Sequence, residues 1–281
     1  MSSSDRAEDG ASSHPRVFWI REWRTGGVVH FRIGRAGADL VAEWVGIAEL
    51  RARRSGDCAR FVFRSDVGED RANKIRRGAA EALLRHLRGR LSLHASSAAR
   101  NGHAILFLGD SDSGKSTTVA QLCRGHGFAL LADDIAFLDE SAAQIDVVPG
   151  EAIHWLCADA AAFLGAPVGD DLKTGLPAVR LATGAARLSL TVKLVFDDSV
   201  RYPEARRIHG EGAFLALGQG MLRFALDDPA VDLRDFDMLA RTHMTAPMYE
   251  VRRPRSLAAL RDVVELVFAL GEKAGGGSGG D

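Results

Sequence analysis

LSLHASSAARNGHAILFLGDSDSGKSTTVAQLCRGHGFALLADD, residues Leu91 to Asp134, is the stretch on which the fold turns. Within it Gly109, Asp110, Ser111, Asp112, Ser113, Gly114, Lys115 and Ser116 fit the pattern G-x-x-x-x-G-K-[ST], with Thr117 next. In that pattern backbone N–H groups cradle phosphates, the lysine reaches the terminal phosphates and the hydroxyl binds Mg²⁺. The surroundings suit the motif. His103 to Leu108 is a short apolar run that predicts a buried strand entering the loop. From Ser116, the residues Val119, Leu122 and Cys123 recur at helical spacing, and Gly125 is placed to end the helix. The helix N-terminus adds its positive dipole end to the loop amides, which favours a bound anion. A second apolar strand, Phe128 to Ala132, ends in Asp133-Asp134. Acidic residues there are placed to hold Mg²⁺ or to take a proton, or one of them merely caps a turn.

Upstream, Asn101-Gly102 between two apolar runs is a two-residue hairpin signal. Partners across such a turn have residue numbers that add to about 203, which sets His94 opposite Gly109 at the start of the loop. A lone histidine is usually structural. Here the register delivers it to the phosphate site.

The string Leu93-His94-Ala95-Ser96, the GDSDSGKS loop, Arg124-Gly125-His126 and Leu131-Ala132-Asp133-Asp134 together resemble the catalytic core of the HPr kinase/phosphorylase superfamily. Four motifs occur in the right order over about Leu91 to Leu138. The resemblance implies an ATP-dependent kinase acting on a serine hydroxyl, with ATP and Mg²⁺ required. Carried over by residue, Lys115 and Ser116 handle the nucleotide phosphates and Mg²⁺, and Asp133 is the base. His94 is its neighbour, and Asp134 a second acidic group near the metal. Two positions depart from that family: Asp112 stands where glycine is usual, and Thr117 where glutamate follows the GKS. The glycine-rich signature after the core is also absent. The chain thus resembles a divergent, HPr-kinase-related group that includes peptide-tailoring kinases acting on ribosomally made precursors, lasso-peptide precursors among them. Hexamers occur among such relatives, so the resemblance admits a homo-oligomer.

Composition sets the outer bounds. At 281 residues, 46% hydrophobic and 26% charged, the chain is long enough for one sizeable core plus a smaller module. A net charge of −1 argues against a whole-chain nucleic-acid binder. Cys58, Cys123 and Cys157 lie far apart and read as reduced, buried thiols. No run approaches the about 18 apolar residues of a membrane span, and the N-terminus lacks a signal-peptide core, so a cytoplasmic protein with no membrane partner is expected.

Residues 1–14 are polar and without period, and are expected to be disordered. Residues 15–90 form a small β-rich module followed by a helix over about Asp70 to Arg88. Arg51 to Arg90 carries twelve Lys/Arg against five Asp/Glu. That excess is either a solvated helix face or a docking surface for an acidic peptide. Residues 91–271 form the phosphate-loop domain, with a hairpin over Phe137 to Val148 and a helix over Ile153 to Leu164. A turn-rich segment, Gly165 to Ala186, follows, then a strand over Leu188 to Phe196. Helices are expected over 211–226 and 231–241, a strand over Met248 to Val251 and a helix over Ser256 to Leu270. Residues 272–281 form a flexible tail. Lys173, Arg180 and Arg187 are cations that could meet charge developing on a transferred phosphoryl group.

The sequence therefore predicts an α/β fold: an HPr-kinase-like phosphate-loop core with a small β-rich N-terminal module. The leading function is a Ser kinase acting on a peptide or protein substrate. An HPr-type protein kinase, a small-metabolite kinase and a non-catalytic nucleotide-binding regulator are the alternatives.

Overall fold

The computed structural model describes residues 16–141, 144–167, 173–224 and 228–276. The segment 1–14, expected to be disordered, lies outside them. The chain divides into two compact units, the first ending at Val67 and the second beginning at Gly68.

The first unit is a five-stranded antiparallel sheet whose strands neighbour one another in chain order: β1 (Phe18–Thr25), β2 (Val28–Ala36), β3 (Asp39–Trp44), β4 (Ala48–Arg53) and β5 (Arg60–Phe63). Gly26 and Gly27 turn the first hairpin with φ of 56° and 82°. One aromatic ladder crosses four strands, with centroid separations of 5.1 Å for Trp23–Phe31, 4.9 Å for Phe31–Trp44 and 5.6 Å for Trp44–Phe61. Gly34 lies inside β2, where a Cβ would stand 2.5 Å from the Phe18 carbonyl oxygen. Cys58, expected to be buried, is exposed beyond β4, whereas Cys123 is buried.

The helix after this sheet belongs to the second unit, so the boundary falls at Val67/Gly68 instead of at residue 90. It runs as α1 (Glu69–Ile75), a π-helical turn over Arg76–Ala80, and α2 (Glu81–Leu87). Its apolar stripe, with Leu83 fully buried, requires a partner, and Arg85 ties it down by donating to the Leu138 carbonyl and pairing with Asp139. The remaining strands are β6 (Ser92–Leu93), β7 (Ser96–Arg100), β8 (His103–Leu108), β9 (Ala129–Ala132), β10 (Ala136–Ser141), β11 (Gln144–Val148), β12 (Ile153–Leu156), β13 (Thr174–Pro177), β14 (Ala186–Phe196), β15 (Glu204–Ile208) and β16 (Met248–Arg253). The helices are α3 (Lys115–Gly125), α4 (Ala158–Phe163), α5 (Gly210–Gly220), α6 (Pro229–Thr245) and α7 (Leu260–Gly276).

Nine strands form one mixed sheet in the order β6-β10-β11-β14-β8-β7-β9, with β16 beside β14 and β15 beside β16. β8 is buried on both faces, as its unbroken apolar run demands. Ala104, Leu106 and Leu108 face α5 and α6, while Ile105 and Phe107 face α3, α4 and α7. In β14 a bulge falls between Leu188 and Leu190. It shifts the side-chain parity, so Leu188 joins the first cluster while Leu190, Val192 and Leu194 join the second. Asn101 and Gly102, at φ of 53° and 80°, turn the β7–β8 hairpin, and Ser96 pairs with Phe107 in the expected register.

Three element expectations change. Residues 153–164 are not one helix: Ile153–Leu156 is a strand paired with Thr174–Pro177, and the helix is confined to Ala158–Phe163. The residues from 211 onward are helical only to Gly220, whereas the next helix is longer than expected, Pro229–Thr245. The last helix continues through 272–276 instead of releasing a tail at 272, because Gly271 packs on β8. A Cβ at Gly271 would stand 2.9 Å from Ile105 Cδ1. Gly271→Leu should therefore lower stability by about 1–3 kcal/mol through overpacking, read as a lower denaturant midpoint; an unchanged midpoint would show that helix and sheet are not in close contact there.

Candidate active site

The parallel strands β8, β14 and β16 end at one edge of the sheet, where Lys193 pairs with Leu108 and Phe196 with Arg253. In α/β sheets ligands collect beyond such carboxyl ends. Here the chain leaves β8 through Gly109–Gly114 and enters α3 at Lys115. The loop depends on glycine at both ends. Gly109 has φ of 142°, and a Cβ there would stand 2.6 Å from the Leu194 carbonyl oxygen. Gly114 has φ of 90°, and a Cβ would collide with the Arg253 guanidinium. Asp112 adopts φ of 62°, a conformation open to aspartate at a cost. Lys115 Nζ donates to the carbonyls of Gly109 (2.8 Å) and Asp110 (2.9 Å), holding the loop around its own ammonium.

A cavity of about 340 Å³ opens over this loop. Ser111, Asp112, Gly114, Lys115, Ser116 and Thr117 line it, with His94, Ser96, Asp134 and Lys173. Gly109, Asp110 and Ser113 shape the loop from outside that lining. His94 lies two residues before β7, its backbone N–H donating to the Gly220 carbonyl. Its Nδ1 lies 3.0 Å from the Asp134 carbonyl oxygen and 3.3 Å from that residue's Oδ1. Burial, then the neighbouring Lys115, holds the imidazole below its usual pKa. A carbonyl can only accept, so Nδ1 carries the hydrogen of the neutral ring and Nε2 keeps a free lone pair. Burial also lowers the Lys115 pKa, with Asp134 opposing.

The two aspartates do different things. Asp133 is 1% exposed; Oδ1 accepts from Ser96 Oγ, and Oδ2 accepts from the Trp155 backbone N–H at 2.7 Å. It does not line the cavity over the loop but the smaller one behind it, so the structure brings Asp134, not Asp133, to the loop. The Asp134 φ of 73° turns it out of the strand direction, and its side chain is 41% exposed. Asp112 also lines the cavity, accepting from Cys157 Sγ and standing 3.7 Å from Lys173 Nζ. Of the other two expected cations, neither lines the cavity. Arg187 lies at the start of β14, paired with His103 at the opposite end of β8, and exposed Arg180 sits beside Gly127, past the far end of α3.

Sequence reasoning missed Trp155, Cys157, Phe196, Arg253 and Arg255, all of which line the cavity. The first two were hidden by reading 153–164 as a helix. The arginines had a signal: Arg252-Arg253-Pro254-Arg255 follows a strand that the parallel order sets beside the loop. Arg253 is 3% exposed, and its Nε and Nη1 have no hydrogen-bond partner among the described residues. Arg253 and Arg255 lie 4.6 and 4.4 Å from the Phe196 ring centroid. Burial first, and Arg255 second, depresses the Arg253 pKa. Among the described residues no group of three or more His, Cys, Asp or Glu is placed to hold a metal by itself, and no helix is long and apolar enough to cross a membrane.

No family model matches the sequence, and no curated protein does. Among solved structures the chain is similar to the Hpr(Ser) kinase/phosphatase from Coxiella burnetii, with 14% identity and a TM-score of 0.34 over 65% of this chain and 98% of that one. A likeness of that size assigns no activity.

Behind the aspartates, burial pushes the Glu151 carboxyl from 4.5 up to about 7; Asp133 and Asp134 add to the rise and Lys74 opposes it. The folded chain therefore favours the protonated acid, and this contribution to stability is lost as pH rises from 4.5 through about 7. Glu151→Gln should match the natural chain near pH 4.5 and exceed it at about pH 8 by about 1–2 kcal/mol after solvent screening, measured by denaturant unfolding. A gain of equal size at both pH values would contradict the assignment.

Proposed function

We propose that this chain is a phosphotransferase that moves the γ-phosphoryl group of Mg·ATP to a hydroxyl, namely a serine hydroxyl of a peptide. One juxtaposition supports the reading: Lys115, His94, Asp134 and Arg253, two of whose guanidinium nitrogens have no hydrogen-bond partner among the described residues, all line the same cavity at the strand ends.

The residues fit a nucleotide triphosphate. Gly114 leaves room that a side chain would fill, and two guanidinium nitrogens of Arg253 have no hydrogen-bond partner among the described residues. They also fit Mg²⁺ in its usual manner, in which one or two protein oxygens act together with phosphates and water. Ser116 would supply the protein oxygen here, beside the phosphates and water. When bound, Mg²⁺ supplies charge neutralisation on the β- and γ-phosphates.

In the reaction the acceptor oxygen forms a bond to the γ-phosphorus. The bond from that phosphorus to the bridging oxygen breaks, and its electron pair leaves on ADP. We assign the hydroxyl proton to the Asp134 carboxylate, which faces the cavity, in place of Asp133, whose oxygens are engaged. Asp133 and Ser96 hold the strand ends from which Asp134 projects. His94 fixes Asp134 from the other side. Lys115 and Arg253 offset charge on the transferring group, a role that positioned cations fill in phosphoryl transfer generally. Lys173 stands against Asp112, so the extra carboxylate in the loop meets a cation before it meets a phosphate.

The reading is tested with labelled ATP, ribosomally made precursor peptides and intact-mass analysis. Lys115→Ala should remove transfer. Asp134→Asn should lower turnover by about 10²–10⁴-fold while ATP still binds in a calorimetric titration. Asp133→Asn, folded to the same extent, should lose less. Full turnover in Asp134→Asn would refute the base assignment. Arg253→Lys keeps the charge but loses the planar fork, and should lower kcat more than it weakens ATP binding.

A further inference from the structure

Asp134 borders a second cavity. This one, about 170 Å³, lies across the two aspartates and is lined by Lys74, Arg77, Gly78, Asp133, Asp134 and Glu151 among others. Its far wall is the turn Arg76–Ala80, where the helix widens from α to π before resuming as α2. Single π turns inside α-helices are found frequently at functional sites. Here the widened turn presents Gly78 to the cavity, across from Ile135. The two cavities are also linked through Trp155. Its backbone N–H donates to Asp133, its ring lies 3.9 Å from Lys74 Nζ, and it lines the cavity over the loop.

In-line transfer requires donor and acceptor on opposite sides of the migrating group, with the acceptor hydroxyl within reach of the base. Asp134 is the side chain shared by both cavities. Building on the transferase reading above, we propose that the cavity between the π turn and Asp134 receives the acceptor hydroxyl, and that Lys74 and Arg77 select an acceptor bearing negative charge beside it. The acceptor oxygen then forms its bond to the γ-phosphorus, ADP leaves with the electron pair of the broken bond, and the proton passes to Asp134. Lys74 and Arg77 bring two positive charges to the wall. The opposing carboxyl, Glu151, is held toward its neutral form by burial. Selection of an acidic acceptor also gives the basic helix face a use beyond solubility, at the two residues of it that meet the aspartates.

The experiment compares three serine peptides, with acidic, neutral and basic flanks, and free glycerate as a small hydroxy acid. Each is offered with labelled Mg·ATP to the natural chain and to Lys74→Glu/Arg77→Glu. Both side chains are exposed, so charge reversal spares the core. In the natural chain kcat/KM should favour the acidic over the basic peptide by about tenfold, which is what two exposed ion pairs supply, and the double variant should invert that order. If the double variant is inactive with every acceptor, Arg77→Glu alone supplies the comparison. Transfer to glycerate above all peptides, lost on charge reversal, would keep the charge selection and assign it to a free anion. The same peptide order in both chains would overturn the proposal. Hydrolysis of ATP with no acceptor labelled would overturn it while leaving the transferase reading standing. Failure of ATP to bind the natural chain would end both.

Discussion

A guanidinium buried to 3% exposure with two nitrogens unpaired is a standing electrostatic cost, and the candidate site is organised around it. Removing an ion from water without a partner costs several kcal/mol, and that same burial, with Arg255 beside it, holds the Arg253 pKa below its usual value. Among the described residues no carboxylate pairs with it. The Phe196 ring offers only the weaker attraction of its π face, which it shares with Arg255. Gly114 passes so close that no other residue fits beside the guanidinium. An anion seated on the loop would relieve the cost, which couples the loop to β16 through the ligand and not through protein contacts.

That coupling needs β8, β14 and β16 to finish together. Parallel pairing on both sides of β14 aligns the three ends, and the bulge after Leu188 makes it possible for one long strand to serve two layers. Before the bulge β14 pairs with β11 and feeds the cluster under α5 and α6; beyond it the strand pairs with β16 and feeds the cluster under α3, α4 and α7. Without that parity shift, either the apolar residues beyond it would face the wrong layer or the strand would end short of the loop.

The parts of this arrangement legible in the sequence are those set by local chemistry. Asn101-Gly102 specifies a hairpin through its positive φ values, and His94 lies two residues before the first strand of that hairpin. The apolar run of β8, the glycines of the loop and the helical spacing of α3 are likewise local. What was not legible depends on long-range pairing. Ile153–Leu156 is a strand only because Thr174–Pro177 lies beside it, and its apolar spacing suits a helix equally well. Arg253 gains its meaning from a partner strand more than fifty residues away in sequence. Arg187 was misplaced for the same reason: its position relative to the loop follows from the direction of β14, which no local pattern reveals.

The adjacent aspartates show how backbone conformation can separate two identical side chains. In an extended strand Asp133 and Asp134 would simply point to opposite faces. Asp133 does so, and meets a hydroxyl and a backbone amide that together satisfy both of its oxygens in the dry interior. Asp134, two residues past the end of β9, instead adopts φ of 73°, which leaves its carboxylate half in solvent beside His94. The cost of that conformation is small for aspartate and large for a β-branched residue, so the position favours a short polar side chain. The division is one of placement: the first aspartate is tied to Ser96 and Trp155, and the second faces the cavity over the loop.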